Sequence, residues 1–143
     1  MLNAVLDSTI LVSAFLRKGG LCAQLLRQAA GGAFDIYLSQ EIVEETQETL
    51  LEREHIRKRY HYDDRDVAEF CQSLRGSFHL LTSLPSLTGI SRDPNDDMVI
   101  ACALTADAPY LVTRDRDLLT LGKYKGVRMI TPEEFMGILR EQR

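Results

Sequence analysis

The chain has 143 residues, of which 45% are hydrophobic, and its 21 acidic and 17 basic side chains give a net charge of -4. This size and composition predict one globular domain over residues 1–143 that buries a substantial core without disulfide or metal staples. No apolar stretch approaches the roughly 20 residues of a membrane helix, and Asp7 interrupts the apolar segment that a signal peptide would need, so we expect a cytoplasmic protein without membrane association.

The first half of the sequence predicts a strand, two helices, a second strand and a long helix. The apolar run NAVL ends at Asp7, and STILVSAFL follows as a helix that Ser8 or Thr9 would cap. The second helix, LCAQLLRQAA, stops at a Gly-Gly pair. FDIYLS then alternates apolar and polar residues as a strand, and Ser39 caps a helix that begins QEIVEETQETLL.

The second half alternates helices and strands again, after a highly charged segment at residues 52–66. A helix around VAEFCQSL and a short strand, FHLLT, come next, and a loop then leads to the helix MVIACALT with Pro94 in its first turn. YLVT and VRMIT are predicted strands, and PEEFMGILREQR closes as a helix with Pro132 at its first position. Because strands alternate with helices, we predict a three-layer α/β/α fold with a central, mainly parallel sheet.

Acidic residues lie where the predicted strands end. Asp7 follows the first strand, and Asp115 comes two residues after YLVT. The segment RDPNDD places Asp93, Asp96 and Asp97 at the start of a buried helix. Ligands of parallel sheets bind beyond the carboxyl ends of the strands, so we expect these acids to converge on that edge. Asp93, directly before a proline, also fits an ordinary helix cap.

The helical phase of QEIVEETQETLL singles out one glutamate. At about 100° per residue, Glu45 lies closest to the apolar stripe, whereas Glu44 and Glu48 point nearly opposite. The stripe consists of Ile42, Val43, Thr46, Thr49 and Leu50. We therefore predict that Glu45 faces inward.

Clustered carboxylates need a positive partner. Two of them about 6 Å apart repel by about 3 kcal/mol at an effective dielectric constant near 20. The acidic motifs contain no histidine or cysteine, which argues against zinc, while oxygen ligands suit Mg²⁺ or Mn²⁺. A pair of such ions can activate a water and stabilise the leaving oxygen of a phosphodiester. The pattern therefore favours a metal-dependent nuclease.

The sequence contains four segments in this order: AVLDSTILVSAFL, LSQEIVEETQETLL, RDPNDDMVIACALTADAPYLVTRDRDLL and VRMITPEEFMGIL. Together they resemble the PIN domain, in particular its VapC-like branch of toxins from toxin-antitoxin pairs. The resemblance implies a PIN-like fold and a Mg²⁺- or Mn²⁺-dependent endoribonuclease, a hydrolase that cleaves single-stranded or structured RNA. Its catalytic and metal-binding acids map onto Asp7, Glu45, Asp96 or Asp97, and Asp115. It also implies an RNA substrate, a cognate antitoxin protein and a homodimer.

The first motif departs from the family pattern. The family usually has Asp-Thr-Asn or Asp-Ser-Asn, whereas this chain has Asp7, Ser8 and Thr9, so a hydroxyl replaces an amide that usually organises the site. A hydroxyl can still bond a carboxylate, which makes Thr9 a candidate accessory residue. Thr113 and Asp117 are further candidates, although Asp117 before LLTL also fits a helix cap.

Basic residues offer candidate phosphate ligands. Arg92, Arg114 and Arg116 flank the acidic motifs. The charged segment 53–61 is either a solvated face or a surface that grips RNA phosphates and stacks a base.

Two other acid-based functions lack necessary residues. A phosphatase with an aspartate nucleophile needs a second acid two residues after the first, where this chain has Thr9. A phospho-accepting receiver domain needs an acidic pair near the first strand and an aspartate that ends a central strand. The alternative that stays open is a catalytically weak PIN module that binds RNA or protein.

Overall fold

The computed structural model describes residues 2–142 and shows a six-stranded sheet flanked by helices. The strands are β1 (Asn3–Leu6), β2 (Asp35–Ser39), β3 (His79–Leu81), β4 (Tyr110–Val112), β5 (Lys123–Tyr124) and β6 (Val127–Ile130). The helices are α1 (Ser8–Leu16), α2 (Leu21–Ala30), α3 (Gln40–Glu52), α4 (Glu54–Arg59), α5 (Asp64–Ser77), α6 (Pro94–Thr105), α7 (Arg116–Leu121) and α8 (Pro132–Glu141). The predicted α/β architecture with a mainly parallel sheet is confirmed. Within residues 2–142, no single helix is long and apolar enough to cross a membrane, although α1 and α2, bent by 100°, pass that test together.

The sheet has the strand order β3-β2-β1-β4-β6-β5, and every pair is parallel except β5 with β6. β1 lies between β2 and β4, with Ala4 opposite both Ile36 and Tyr110. The chain leaves β1 toward β2 on one side and later returns to β4 on the other. The order therefore reverses between β1 and β4, and in open parallel sheets a crevice for ligands forms at such a point.

The core lies around β1, β4 and α6. Val5 and Leu6 in β1 and Leu111 and Val112 in β4 have no exposed surface. Five consecutive residues of α6, at positions 99–103, are buried, so this helix has no polar face. It therefore fixes the acids of its first turn against the sheet edge.

Two short elements, α4 and β5, were missing from the sequence interpretation, and α7 was present there only through the alternative that Asp117 caps a helix over LLTL. In α4 no residue is buried, and the helix is held by contacts of Arg57 with Leu51 O, Tyr62 O and Asp64. Short helices depend on such tertiary contacts more than on intrinsic propensity, which explains why periodicity did not reveal α4. The predicted cap of α1 was also wrong, because Asp7 rather than Ser8 or Thr9 is its N-cap.

Candidate active site

Three acids from two elements meet at the carboxyl edge of the sheet, where β1 and β4 end. One carboxylate oxygen each from Asp96, Asp115 and Asp117 lies within 4.8 Å of the other two. Asp96 comes from the first turn of α6, while Asp115 and Asp117 lie at the start of α7. Asp7, at the end of β1, is close enough for the charge of Asp115 to raise its pKa. The structure thus brings these four carboxylates into one neighbourhood.

Asp7 is the most enclosed of these acids, with 3% of its surface exposed. Thr113 Oγ1 donates to its Oδ2, Thr9 Oγ1 donates to its Oδ1 at 2.5 Å, and the Ile10 amide donates to Oδ1 at 3.3 Å. Burial raises the pKa of Asp7 to about 6, and these hydrogen bonds oppose that rise without cancelling it. Asp7 is therefore both a helix cap and a buried carboxyl with a perturbed pKa.

The two threonines connect Asp7 to the turn that follows β4. The Arg114 amide donates to Thr9 Oγ1 at 3.0 Å, and the Asp115 amide donates to Thr113 Oγ1 at 2.9 Å. Each hydroxyl therefore accepts from the turn and donates to the carboxylate. The Thr9 hydroxyl therefore bonds the Asp7 carboxylate, as a hydroxyl at this position can, and its accessory role stays a prediction.

The doublet Asp96-Asp97 separates into two different environments. Asp96, 6% exposed, has a pKa well above its usual range because of burial first, and then because of a hydrogen bond with Asp115 and its negative charge. Asp97 Oδ1 instead accepts from the Ser91 amide at 2.7 Å and thus fastens the loop that precedes α6. Asp93 is the N-cap of α6, as predicted, and accepts from the Asn95 amide at 2.9 Å.

Asp115 and Asp117 differ in their contacts. Asp115 is the N-cap of α7 and accepts from the Asp117 amide at 2.9 Å, so Asp117 is not the cap. The side chain of Asp117 is exposed and joins the group of three acids described above.

Glu45 lies at the margin of this acidic group. Burial raises its pKa, a hydrogen bond with Ser8 opposes the rise, and the charge of Asp93 adds to it. Glu44 and Glu48 are exposed, as the helical phase predicts. Glu45 also lines a groove of about 200 Å³ whose walls come from α3 and α6. Its carboxylate is not one of the three that lie within 4.8 Å.

The flanking arginines have different surroundings. The guanidinium of Arg114 binds both carboxylate oxygens of Glu133 in α8, at 3.1 and 2.7 Å. Arg92 and Arg116 are exposed, and phosphate binding by all three arginines stays a prediction. Sequence reasoning missed Ser91 and Glu133: both lie in or beside the segments named in the sequence analysis, but their contacts with Asp97 and Arg114 appear only in the folded structure.

The donor set fits a hard divalent cation. It consists of carboxylate and hydroxyl oxygens, which suit Mg²⁺ or Mn²⁺. Within residues 2–142, no lysine or arginine forms a salt bridge with Asp7, Asp96 or Asp115. The buried negative charge therefore lacks a protein counter-ion, and a bound cation would supply it.

Comparison with protein-family profiles gives a match over most of the chain. The profile of the family described as "PIN domain" matches residues 3–117. The comparison with curated protein sequences gives no significant match.

Three solved structures have similar folds. PAE2754 from Pyrobaculum aerophilum is 18% identical, with a TM-score of 0.66 over 99% of this chain and 91% of that one. VapBC2 from Rickettsia felis, bound to a DNA fragment from its promoter, is 12% identical, with a TM-score of 0.61 over 90% and 97%. VapC20 from Mycobacterium tuberculosis, a toxin that cleaves the sarcin-ricin loop, is 12% identical, with a TM-score of 0.57 over 87% and 98%. At these identities the similarity establishes the fold.

Proposed function

Because the chain belongs to the PIN-domain family, we propose that it is a Mg²⁺- or Mn²⁺-dependent endoribonuclease that hydrolyses phosphodiester bonds of RNA. The observation that carries the proposal is the group of carboxylates from Asp7, Asp96, Asp115 and Asp117, with which no lysine or arginine among residues 2–142 forms a salt bridge. Such a group would repel the phosphates of RNA unless metal ions reversed its charge.

In this mechanism Asp96, Asp115 and Asp117 would hold the metal ion, and Asp7 would add a buried carboxylate to the same group. The bound cation would lower the pKa of a water and stabilise charge on the phosphoryl oxygens. Thr9 and Thr113 hold the Asp7 carboxylate in one orientation. Glu45, at the margin, would orient the attacking water or accept its proton, since its raised pKa suits a proton acceptor.

The exposed Arg92 and Arg116 would contact phosphates on either side of the cleaved bond, where each contact makes binding sensitive to salt. Asp97 has no direct part, because its carboxylate is engaged with the Ser91 amide. The bond from Thr9 to Asp7 supports an active enzyme over a catalytically weak binding module, since the site keeps its orienting contact.

We expect single-stranded RNA to be cut only when Mg²⁺ or Mn²⁺ is present, because without a cation the acids repel both the substrate and the developing charge. The measurement is cleavage of a labelled oligonucleotide with each metal, and with excess chelator. Asp115→Asn serves as the control for contaminating ribonucleases. Cleavage that persists in chelator, or equals wild type in the variant, would disprove the proposal.

A pair of neighbours on α3 tests the role of Glu45. Glu45→Gln is expected to lower cleavage by about 100-fold or more, a typical loss for a group that transfers a proton. Glu44→Gln removes the same charge from the exposed face of the same helix and is expected to keep most activity. Rates at saturating RNA decide the point, and equal losses in both variants would exclude a specific role for Glu45.

The VapC-like role is part of the same proposal. VapBC2 from Rickettsia felis is a structural neighbour, and so is VapBC-1 from nontypeable Haemophilus influenzae, with a TM-score of 0.60 and 11% identity over 92% of this chain and 99% of that one. We propose that this chain is likewise the toxin of a toxin-antitoxin pair, with a cognate antitoxin protein as partner and a homodimer as its assembly.

A further inference from the structure

The C-terminal helix contacts the turn that carries Asp115, although it lies outside the residues that match the family profile. α8 begins at Pro132, whereas the match ends at residue 117. Glu133, in the first turn of α8, holds the Arg114 guanidinium with both carboxylate oxygens. Arg114 directly precedes Asp115, and its amide donates to Thr9 Oγ1, which donates to Asp7. A continuous chain of contacts thus runs from α8 to two of the acids.

We propose that Glu133 is a positioning residue of the metal site: through Arg114 it holds the turn of residues 113–115 in the conformation that keeps Asp7 and Asp115 together. The inference rests on the proposed function, because the metal site that Glu133 would position is part of that function. Glu133 does not touch the reacting atoms and acts only through the turn.

The geometry of the pair makes this role physically reasonable. Exposed ion pairs usually contribute little to stability, but a bidentate arginine-carboxylate pair is an exception. The two side chains are 44% and 57% exposed, so the contact is weakened by salt rather than insulated from it. α8 provides a firm base for Glu133, because Phe135, Met136 and Leu139 are buried.

The turn itself needs an external support. α7 has six residues, and its buried anchor is Leu118. Two side-chain hydroxyls hold the backbone amides of Arg114 and Asp115. If Arg114 were released from Glu133, both amides would open to water more often, and the position of the Asp115 carboxylate would spread over a wider range.

Arg114 is also a predicted phosphate ligand. Its role as a phosphate ligand and its role as a link to Glu133 predict different effects of removing the Glu133 charge. If Arg114 binds an RNA phosphate, the loss of the Glu133 charge would free its guanidinium for RNA. If Arg114 links the turn to α8, the same change would instead break that link. The distinction can be measured without any RNA, on the metal-free protein and on the protein with Mn²⁺ alone.

The test compares Glu133→Gln with Glu134→Gln. Glu134 is the next residue and belongs to the capping box of α8, where glutamine is also accepted, so the control loses the same charge without losing the helix. A third variant exchanges the charges, Arg114→Glu with Glu133→Arg. For each protein we would measure amide hydrogen exchange of Arg114 and Asp115 by NMR and the affinity for Mn²⁺ by calorimetry.

We expect Glu133→Gln to speed exchange at these two amides, to leave the amides of β1 and β4 unchanged, and to weaken Mn²⁺ binding by about threefold to tenfold. Glu134→Gln should resemble wild type, and the charge exchange should recover most of the loss. Unchanged exchange or unchanged Mn²⁺ affinity in Glu133→Gln would overturn the inference, as would a charge-exchanged variant that recovers neither. Because neither measurement uses RNA, a wild type that binds Mn²⁺ but cuts no RNA would refute the proposed function alone.

Discussion

Asp96→Asn is expected to lower RNA cleavage by more than about 100-fold, whereas Asp97→Asn is expected to keep most of it. The two residues are adjacent and both buried, but the Asp96 carboxylate lies among the other acids and that of Asp97 accepts from the Ser91 amide. Loss of a residue that binds the metal should exceed the 10- to 100-fold typical of residues that support such ligands. The measurement is the cleavage rate at saturating RNA and Mg²⁺.

The comparison of Asp96→Asn with Asp97→Asn controls for charge and burial, because each variant removes one buried carboxylate from the same helical turn. Asp97→Asn should instead reduce thermal stability, since an amide accepts the Ser91 hydrogen bond less strongly than a carboxylate. If Asp97→Asn lost activity as completely as Asp96→Asn while remaining folded, the assignment of the ligand within the doublet would be wrong.

The metal-free protein is expected to lose stability as the pH rises from about 4 to about 8. Burial raises the pKa of Asp7 from 3.8 to about 6, and that of Asp96 is raised further by burial and Asp115. Between the unfolded and folded pKa values the folded state keeps a proton that the unfolded state has released, so stability falls with pH. For Asp7 the shift corresponds to about 3 kcal/mol, lost mainly between pH 4 and pH 6.

Asp96→Asn, the variant expected to lower cleavage, should therefore stabilise the metal-free protein. At pH 8, Asp96→Asn is expected to raise the melting temperature in chelator by roughly 3 to 6 °C for each 1 kcal/mol of repulsion relieved. Mg²⁺ should stabilise the wild type by mass action and the variant less. Melting curves at pH 5 and pH 8, with chelator and with Mg²⁺, provide the comparison. A variant that melts below wild type at pH 8 and gains equally from Mg²⁺ would identify Asp96 as a structural residue.

The mainly parallel character of the sheet was predictable because its strands are short apolar runs separated by helices, whereas the strand order was not predicted. The inward direction of Glu45 was also predictable, since α3 has one apolar stripe that fixes its rotation. The short elements were not predictable. α7 has six residues and β5 has two, which is too few for a hydrophobic period to mark them.

The choice between Asp96 and Asp97 could not be made from the sequence for a different reason. α6 is buried along residues 99–103, so no polar face marks its rotation and both aspartates appear equivalent. The link between Arg114 and Glu133 was hidden because they are 19 positions apart and a helix and two strands lie between them. Only the packing of α8 brings these two side chains together.

β1 lies in the middle of the sheet, but its hydrogen-bonded neighbour β4 comes about a hundred residues later in the chain. Asp7 receives the Thr113 hydroxyl bond from 106 residues away, so its carboxylate has only the local donors Thr9 and Ile10 while those residues are synthesised. At 5 to 20 residues per second this interval lasts roughly 5 to 20 seconds. The acids at positions 7, 96, 115 and 117 can therefore come together only after residue 117 has been synthesised, and the proposed cleavage of RNA would begin only then.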